Sequence, residues 1–396
     1  MATSPPLPPH LLPDRQIYVI ISTASGARSA SSYYASTLEP LLSTHSITHI
    51  VHTTTSATSI IDLITAKILP ACTKGAKQTI LLLSGDGGPA TLSTHTYDNR
   101  VGSIFVRPVL VLFPLGTANA LAWSSGLAAD PVKVMLEGRA RPLPQFEARF
   151  SPGSRLVVDE GRKREKLGLN YDDDAAVVYG AVVFSWGLHA SLVSMSDTTE
   201  YRKHGVERFK MAAGKLLEEA HQYKARVKVR RQRGGEWEEL VYPSPSPSDT
   251  TTAESAESTQ PLPADTHAYI LTSLVSNLEQ TFKISPSSTP LSSSLRLVAI
   301  RPPTPQSTTA AEITRILTLA YQDGAHVKDP SVLYEEIDGL RIEFLEQEGI
   351  YREVCVDGKI IEVAGDGKEG SGWAEVNMLP GMGMDGRRVV EVVVPI

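Results

Sequence analysis

Two glycine-bearing stretches hold the residue types that could do chemistry. Ser84-Gly85-Asp86-Gly87-Gly88 follows a leucine run, and Pro114-Leu115-Gly116-Thr117-Ala118-Asn119 follows a second apolar run. Glycine has no Cβ, so backbone N–H groups in such loops can approach and cradle phosphate oxygens. A helix that starts just after the loop adds its positive end. A carboxylate among phosphates is repelled unless it shares a metal ion or a proton, which points to Asp86 as a general base or a partner of Mg²⁺. Strand followed by Gly-Asp-Gly is also an ordinary turn, so the first loop alone has little specificity, and the second loop adds to it.

Both loops need a scaffold that brings strand ends together. From "QIYVIISTASGARSA" through "ITHIVHTTTSATSIIDLITAKIL" and "KQTILLLSGDGG" to "PVLVLFPLGTANALAWSSGL", short apolar runs alternate with helix-compatible segments. This is the rhythm of βαβ units. Thr79–Leu83 and Val109–Phe113 are apolar almost throughout, as strands of a parallel sheet covered on both faces should be. In such sheets ligands bind at the carboxyl ends of the strands, where both loops fall. After about residue 145 the rhythm changes to strand-like runs, among them "DAAVVYGAVVFSWGLHASLV", "KARVKVRR", "THAYILTSLVS", "LRLVAIR", "GLRIEFLEQ", "YREVCVDGKIIEV" and "RRVVEVVVPI". One helix is expected at about Glu200–Tyr223. The domain reading is a disordered N-terminus over 1–15, an α/β nucleotide-binding domain over 16–145 and a mostly antiparallel β domain over 146–396. The second domain carries a disordered Ser/Thr/Pro-rich insertion at about 243–265.

Composition narrows the function classes. The chain has 396 residues, 41% of them apolar, enough for two cores. Two cysteines, Cys72 and Cys355, exclude a disulfide framework, and no signal-peptide-like segment opens the chain, so a reducing, cytoplasmic setting is expected. No apolar run is long enough to span a membrane, which leaves peripheral contact with intracellular membranes open. A formal net charge of −6 gives no general reason to bind nucleic acid.

In this order, "SGDGG", "PLGTANALA", "FSWGLHASL", "YRKHGVERF" and "VDGKIIEV" resemble the catalytic region shared by diacylglycerol kinases, sphingosine kinases and ceramide kinases, and are most similar to the sphingosine-kinase branch. The resemblance runs from about residue 16 to residue 396. It implies a Rossmann-like α/β nucleotide-binding domain followed by a β-sandwich lipid-binding domain, and transfer of the ATP γ-phosphate to a lipid hydroxyl with Mg²⁺. It implies roles for particular residues too. Asp86 would deprotonate the lipid hydroxyl, and Gly85, Gly87 and Gly88 would form the nucleotide loop. Gly116, Thr117 and Asn119 would form a second phosphate-side loop, joined by Ser25 and Gly26 from the first strand's turn. Arg208 would reach the phosphates, with a solvated helix face as its ordinary alternative. Asp357 and Gly358 would sit on the nucleotide and metal side. Trp186 is either sandwich core or lining of the lipid pocket, to which Ser191 would belong.

Several positions depart from the family pattern. Ser22 and Thr23 replace an Asn-Pro pair, Ser292-Ser293 replace an Asp-Gly, and Lys359 stands where a metal-side glutamate is usual. Lysine cannot coordinate Mg²⁺, though it can pair with phosphate as a point charge. Ser191 occupies the place of an aspartate that reads the amino alcohol in sphingosine kinases. The expectation is therefore a kinase acting on a sphingoid base, diacylglycerol or a related amphiphile. A catalytically impaired lipid- or nucleotide-binding relative is the alternative, and NAD kinase-like activity on a soluble dinucleotide is a third reading. The sequence leaves the oligomeric state open and the metal ligands unassigned.

Overall fold

The computed structural model describes residues 6–56, 59–85, 104–167, 175–205, 207–243, 265–303, 309–365, 372–380 and 390–396. Its first part holds strands β1 (Gln16–Ile21), β2 (Ile50–Thr53), β3 (Gln78–Ser84), β4 (Val109–Pro114) and β5 (Arg139–Pro142). The second part holds β6 (Phe146–Phe150), β7 (Arg155–Val158), β8 (Lys163–Lys166), β9 (Ala176–Gly180), β10 (Val183–Gly187), β11 (Tyr223–Arg230), β12 (Glu238–Glu239) and β13 (Thr266–His267). It continues with β14 (Tyr269–Ser273), β15 (Leu295–Ile300), β16 (Val332–Ile337), β17 (Gly339–Phe344), β18 (Glu353–Val356), β19 (Lys359–Glu362) and β20 (Trp373–Met378), and the chain's last strand is β21 (Glu391–Val394).

The first sheet runs β2-β1-β3-β4-β21-β5, parallel from β2 to β21, with β5 antiparallel at the edge. All seven residues of β3 are buried, as expected for a parallel strand covered on both faces. The order reverses direction between β1 and β3, so their carboxyl ends form the crevice where open α/β sheets bind ligands. The connections on either side of β2 are helical. Each widens into a π turn, Tyr34–Leu38 and Ile64–Ile68, shortly before Pro40 and Pro70. A proline ring clashes with the carbonyl four residues back and brings no N–H, and the wider turn relieves that clash.

The second part is a sandwich. One sheet runs β16-β15-β14-β10-β18-β19-β7-β8, the other β12-β11-β17-β20-β6-β9 with β13 also on β11. Strands β6, β9 and β20 alternate buried with half-buried residues, the mark of one face in the core and one in water. Strands β10 and β14 are buried throughout. Their second faces are covered by the helix Leu188–Ser196, by the helix Thr309–Ala320 and by the first part of the chain. One apolar cluster accordingly joins Leu81, Leu110 and Leu121 to Val182, Leu271, Val298 and Ile316.

Three sequence expectations need correction. The C-terminal strand, assigned to the second domain, lies in the first sheet between β4 and β5, where Val392 and Val393 are fully buried. Residues 8–15 are ordered rather than disordered: Leu11 is buried, His10 bonds the Met135 carbonyl at 2.7 Å, and Thr79 Oγ1 donates to the His10 carbonyl at 2.7 Å. "GLHASLV" is helix, not strand, because Gly187 turns the chain at φ 81° and Leu188 N–H donates to the Ala268 carbonyl. The expected helix at 200–223 is found as Thr199–Arg202 and Glu207–Glu219. The Ser/Thr/Pro-rich insertion, but for its two outermost residues, lies outside the described residues.

Candidate nucleotide site at the carboxyl edge of the first sheet

Register places three loops side by side. Ile21 pairs with Leu83 and Ser84 with Pro114, so the chain leaves β1, β3 and β4 at one level. The Ser22 and Ser25 hydroxyls meet at 2.7 Å, and Ser25 Oγ lies 3.2 Å from Ser84 Oγ. Thr23 N–H donates to Thr54 Oγ1 at 3.1 Å and its hydroxyl donates to the Thr54 carbonyl at 3.0 Å, tying in the loop after β2. Ser22 and Thr23 thus fix by hydroxyl bonds the turn in which the family pattern has Asn-Pro.

The glycines serve this junction in a way the sequence does not display. A Cβ on Gly116 would overlap Gly85 Cα, and one on Gly26, which sits at φ 50°, would overlap the Leu115 carbonyl. The bare faces of Gly26, Gly85 and Gly116 are filled by the neighbouring loop backbone, so their first use is close loop packing. Asn119 finishes the second loop at φ 57°, accepting from Gly116 N–H at 2.9 Å and donating to the Gly116 carbonyl at 2.9 Å. The helix it opens, Ala120–Ser124, has only five residues, too short for its dipole to add much.

What faces outward is the crest of these loops: Thr23, Gly26 and Arg28 on one, Thr117 and Ala118 on the other. Arg28, at φ 59° with its N–H on the Ser25 carbonyl at 2.9 Å, is a cation the sequence reading passed over; its position two residues after Gly26 was the available signal. Hydroxyls, loop backbone and one guanidinium suit a phosphate group. Asp86, Gly87 and Gly88 lie outside the described residues, immediately after Gly85.

Other expected site residues sit elsewhere. Arg208 lies on the helix Glu207–Glu219, 3.9 Å from Asp197 and stacked on Phe209; burial holds its guanidinium below the usual range. No hydrogen bond or ion pair joins it to the three loops among the described residues. Trp186 is fully buried, ringed edge-on by Tyr223, His267 and Phe344, with its indole N–H on the Tyr351 carbonyl at 2.8 Å. It is a core residue. Ser191, half-buried, accepts from Tyr223 Oη at 2.9 Å, and burial pushes that phenol up to about 12.

Asp357 and Gly358 are the two central residues of the β18–β19 hairpin, at φ 48° and 83°. Asp-Gly is the pair that such a two-residue turn favours. The Asp357 carboxylate is buried and accepts from Ala181 N–H at 2.7 Å, Val182 N–H at 3.0 Å and Val183 N–H at 2.7 Å. Burial raises its pKa, while the three N–H donors and the charge of Lys359 pull it back; burial lowers Lys359 in turn, against the attraction of Asp357. Ser292 lies in the loop before β15, its buried hydroxyl oxygen without a hydrogen-bond partner among the described residues.

An α/β unit with loops converging at its switch point is continued by a β-sandwich, and the crevice at the switch point is where open α/β sheets bind their ligands. Residues 16–144 match the family model of the diacylglycerol kinase catalytic domain. Among solved structures, three proteins of Bacillus anthracis str. Sterne share the whole fold. The first, described as a diacylglycerol kinase, has a TM-score of 0.51 at 9% identity, with 96% of each chain covered. The second, described as a putative diacylglycerol kinase, has a TM-score of 0.56 at 11% identity, covering 96% of this chain and 97% of that one. The third, described likewise, has a TM-score of 0.53 at 11% identity, with 96% of each covered. The comparison with curated proteins gives no match. No helix among the described residues is long and apolar enough to cross a membrane.

Proposed function

We propose that the protein is an ATP-dependent lipid kinase that phosphorylates the hydroxyl of a sphingoid base, diacylglycerol or a related amphiphile. The observation that carries this reading is the convergence of the Ser22–Arg28, Gly85 and Leu115–Asn119 loops at the switch point, within a segment that matches a lipid-kinase catalytic domain. The triphosphate would lie along the loop crest, where Thr117, Ser25 and Arg28 offer hydroxyls and positive charge. Asp86 would take the proton of the lipid hydroxyl as its oxygen bonds to the γ-phosphorus, the β–γ bridge bond breaks and ADP leaves. Mg²⁺ supplies charge neutralisation when bound with the nucleotide. Among the described residues no three His, Cys, Asp or Glu side chains come together to hold an ion, so no ligand set for it is assigned to them.

The second reading, a binding relative without turnover, is favoured by one observation: both oxygens of the Asp357 carboxylate are engaged by backbone N–H groups, and a lysine stands beside it. Incubating purified protein with γ-labelled ATP and a panel of separated lipids decides between them. Label in a lipid product supports the kinase. Nucleotide binding by calorimetry with no labelled product supports the binding relative.

A further inference from the structure

The hairpin turn at Asp357 and the Gly116–Asn119 loop lie on different domains, yet hydrogen bonds alternating with short stretches of backbone connect them. Both oxygens of Asp357 hold the N–H groups of Ala181, Val182 and Val183, and Asp357 N–H donates back to the Val183 carbonyl at 2.9 Å. The Val182 carbonyl then accepts from Leu274 N–H at 3.0 Å, and Ser273 Oγ, 3.3 Å from the same carbonyl, donates to the Val275 carbonyl at 2.7 Å and accepts from Val275 N–H at 3.0 Å. Two residues after Val275, Asn277 N–H donates to Ser124 Oγ at 2.9 Å, and that hydroxyl donates to the Asn277 carbonyl at 3.3 Å. Ser124 is the last residue of the helix that Asn119 opens, and Asn119 grips Gly116 through both its amide atoms. Ala181, Leu274 and Val275 face Leu121, Ser124 and Ser125 across the domain junction.

We propose that Asp357 is a positioning residue: its carboxylate fixes the Ala181–Val183 backbone and, through Leu274–Asn277 and Ser124, holds the Gly116–Asn119 loop in its place on the sheet edge. A buried carboxylate that has given both oxygens to three backbone donors has little left for a metal or a phosphate. Replacing it with asparagine sets an NH₂ against at least the Ala181 N–H held by Oδ2, so the first link of the run loosens. The role assigned to the loop rests on the kinase reading, but the mechanical link does not.

Amide hydrogen exchange of the full chain without nucleotide tests the link, comparing wild type with Asp357→Asn. The expected result is exchange faster by roughly tenfold, the factor for loss of one net hydrogen bond, at Ala181–Val183, Leu274 and the Gly116–Ser124 amides together. Faster exchange confined to Ala181–Val183, with the Gly116–Ser124 segment unchanged, overturns the proposal and leaves Asp357 a local clamp. Should Asp357→Asn not fold, Ser124→Ala breaks the far link. It must loosen Asn277 and the Gly116–Asn119 amides, and unchanged protection there overturns the proposal equally. On ATP, Asp357→Asn should raise KM several-fold more than it lowers kcat, and in combination with Ser124→Ala the effects should fall short of additive. Fully additive effects contradict the link. Exchange coupled in Asp357→Asn as expected, with no nucleotide binding by the wild type, refutes the kinase reading alone.

Discussion

Gly116 and Gly214 are the same residue under opposite demands. A Cβ on Gly116 would strike Gly85 Cα and the Asn119 side chain, whereas one on Gly214, inside the helix Glu207–Glu219, would meet nothing within 4 Å. Gly116→Ala should therefore destabilise by roughly 1–3 kcal/mol and weaken ATP binding, while Gly214→Ala should stabilise by about 0.5–1 kcal/mol. Thermal melts of the two variants check both signs. A second residue-scale effect comes from His189 and His267, which burial pushes down to about 4. His267 donates from Nε2 to the Ala225 carbonyl at 3.0 Å and accepts the Tyr242 hydroxyl on Nδ1 at 2.8 Å, a neutral ring with both nitrogens used. The unfolded chain takes up these protons near pH 6.5 and the folded chain does not. Stability is then full above about pH 6.5 and falls toward pH 4, by up to about 1.4 kcal/mol per pH unit for each ring. The melting temperature should drop between pH 7 and pH 5, and His267→Gln should flatten that slope; parallel slopes in the two proteins would refute the assignment.

At the scale of elements, the excision of residues 244–259 is the informative change. The flanks of the insertion are held without it: β12 and β13 both pair with β11, and Tyr242 reaches across to His267. Deleting Ser244–Thr259 should leave the melting temperature within a few degrees and transfer intact, since Ser, Thr and Pro bury too little to offset ordering. A larger fall would show that the segment packs on the body. The elements that the sequence made legible are those whose pattern is local. β3 and β4 were readable as uninterrupted apolar runs, and the sandwich strands as alternation. The helices Leu188–Ser196 and Thr309–Ala320 were not read, for different reasons. The first is nearly uniform in polarity and follows a strand through one glycine at φ 81°; the second follows a Pro- and Thr-rich stretch that reads as loop. Asp357-Gly358 was readable as a hairpin turn from residue type alone, but the family likeness placed it in the nucleotide site. The packing of Gly26, Gly85 and Gly116 against one another depends on sheet register, which no local pattern encodes.

For the molecule as a whole, the consequential feature is the return of the C-terminal strand into the first sheet. β21 separates β4 from β5, and Val390, Val392 and Val393 are fully buried in the core that both domains share. Removing Val390–Ile396 should therefore abolish cooperative folding of the first domain, not merely trim a tail, as a calorimetric melt would reveal; a truncated chain that melts as sharply as wild type would contradict this. A shared core also means that the loops at the switch point and the sandwich that would receive the lipid are joined by packing, as a transfer between their ligands requires. The most direct test of that transfer compares wild type and Asp86→Asn, each given γ-labelled ATP with diacylglycerol, a sphingoid base and a soluble dinucleotide in parallel. The account predicts label in a lipid product for the wild type, a fall of about 10²–10⁴-fold for Asp86→Asn with unchanged melting, and none in the dinucleotide. Label in no lipid at all, or equal transfer by the two proteins, would contradict it.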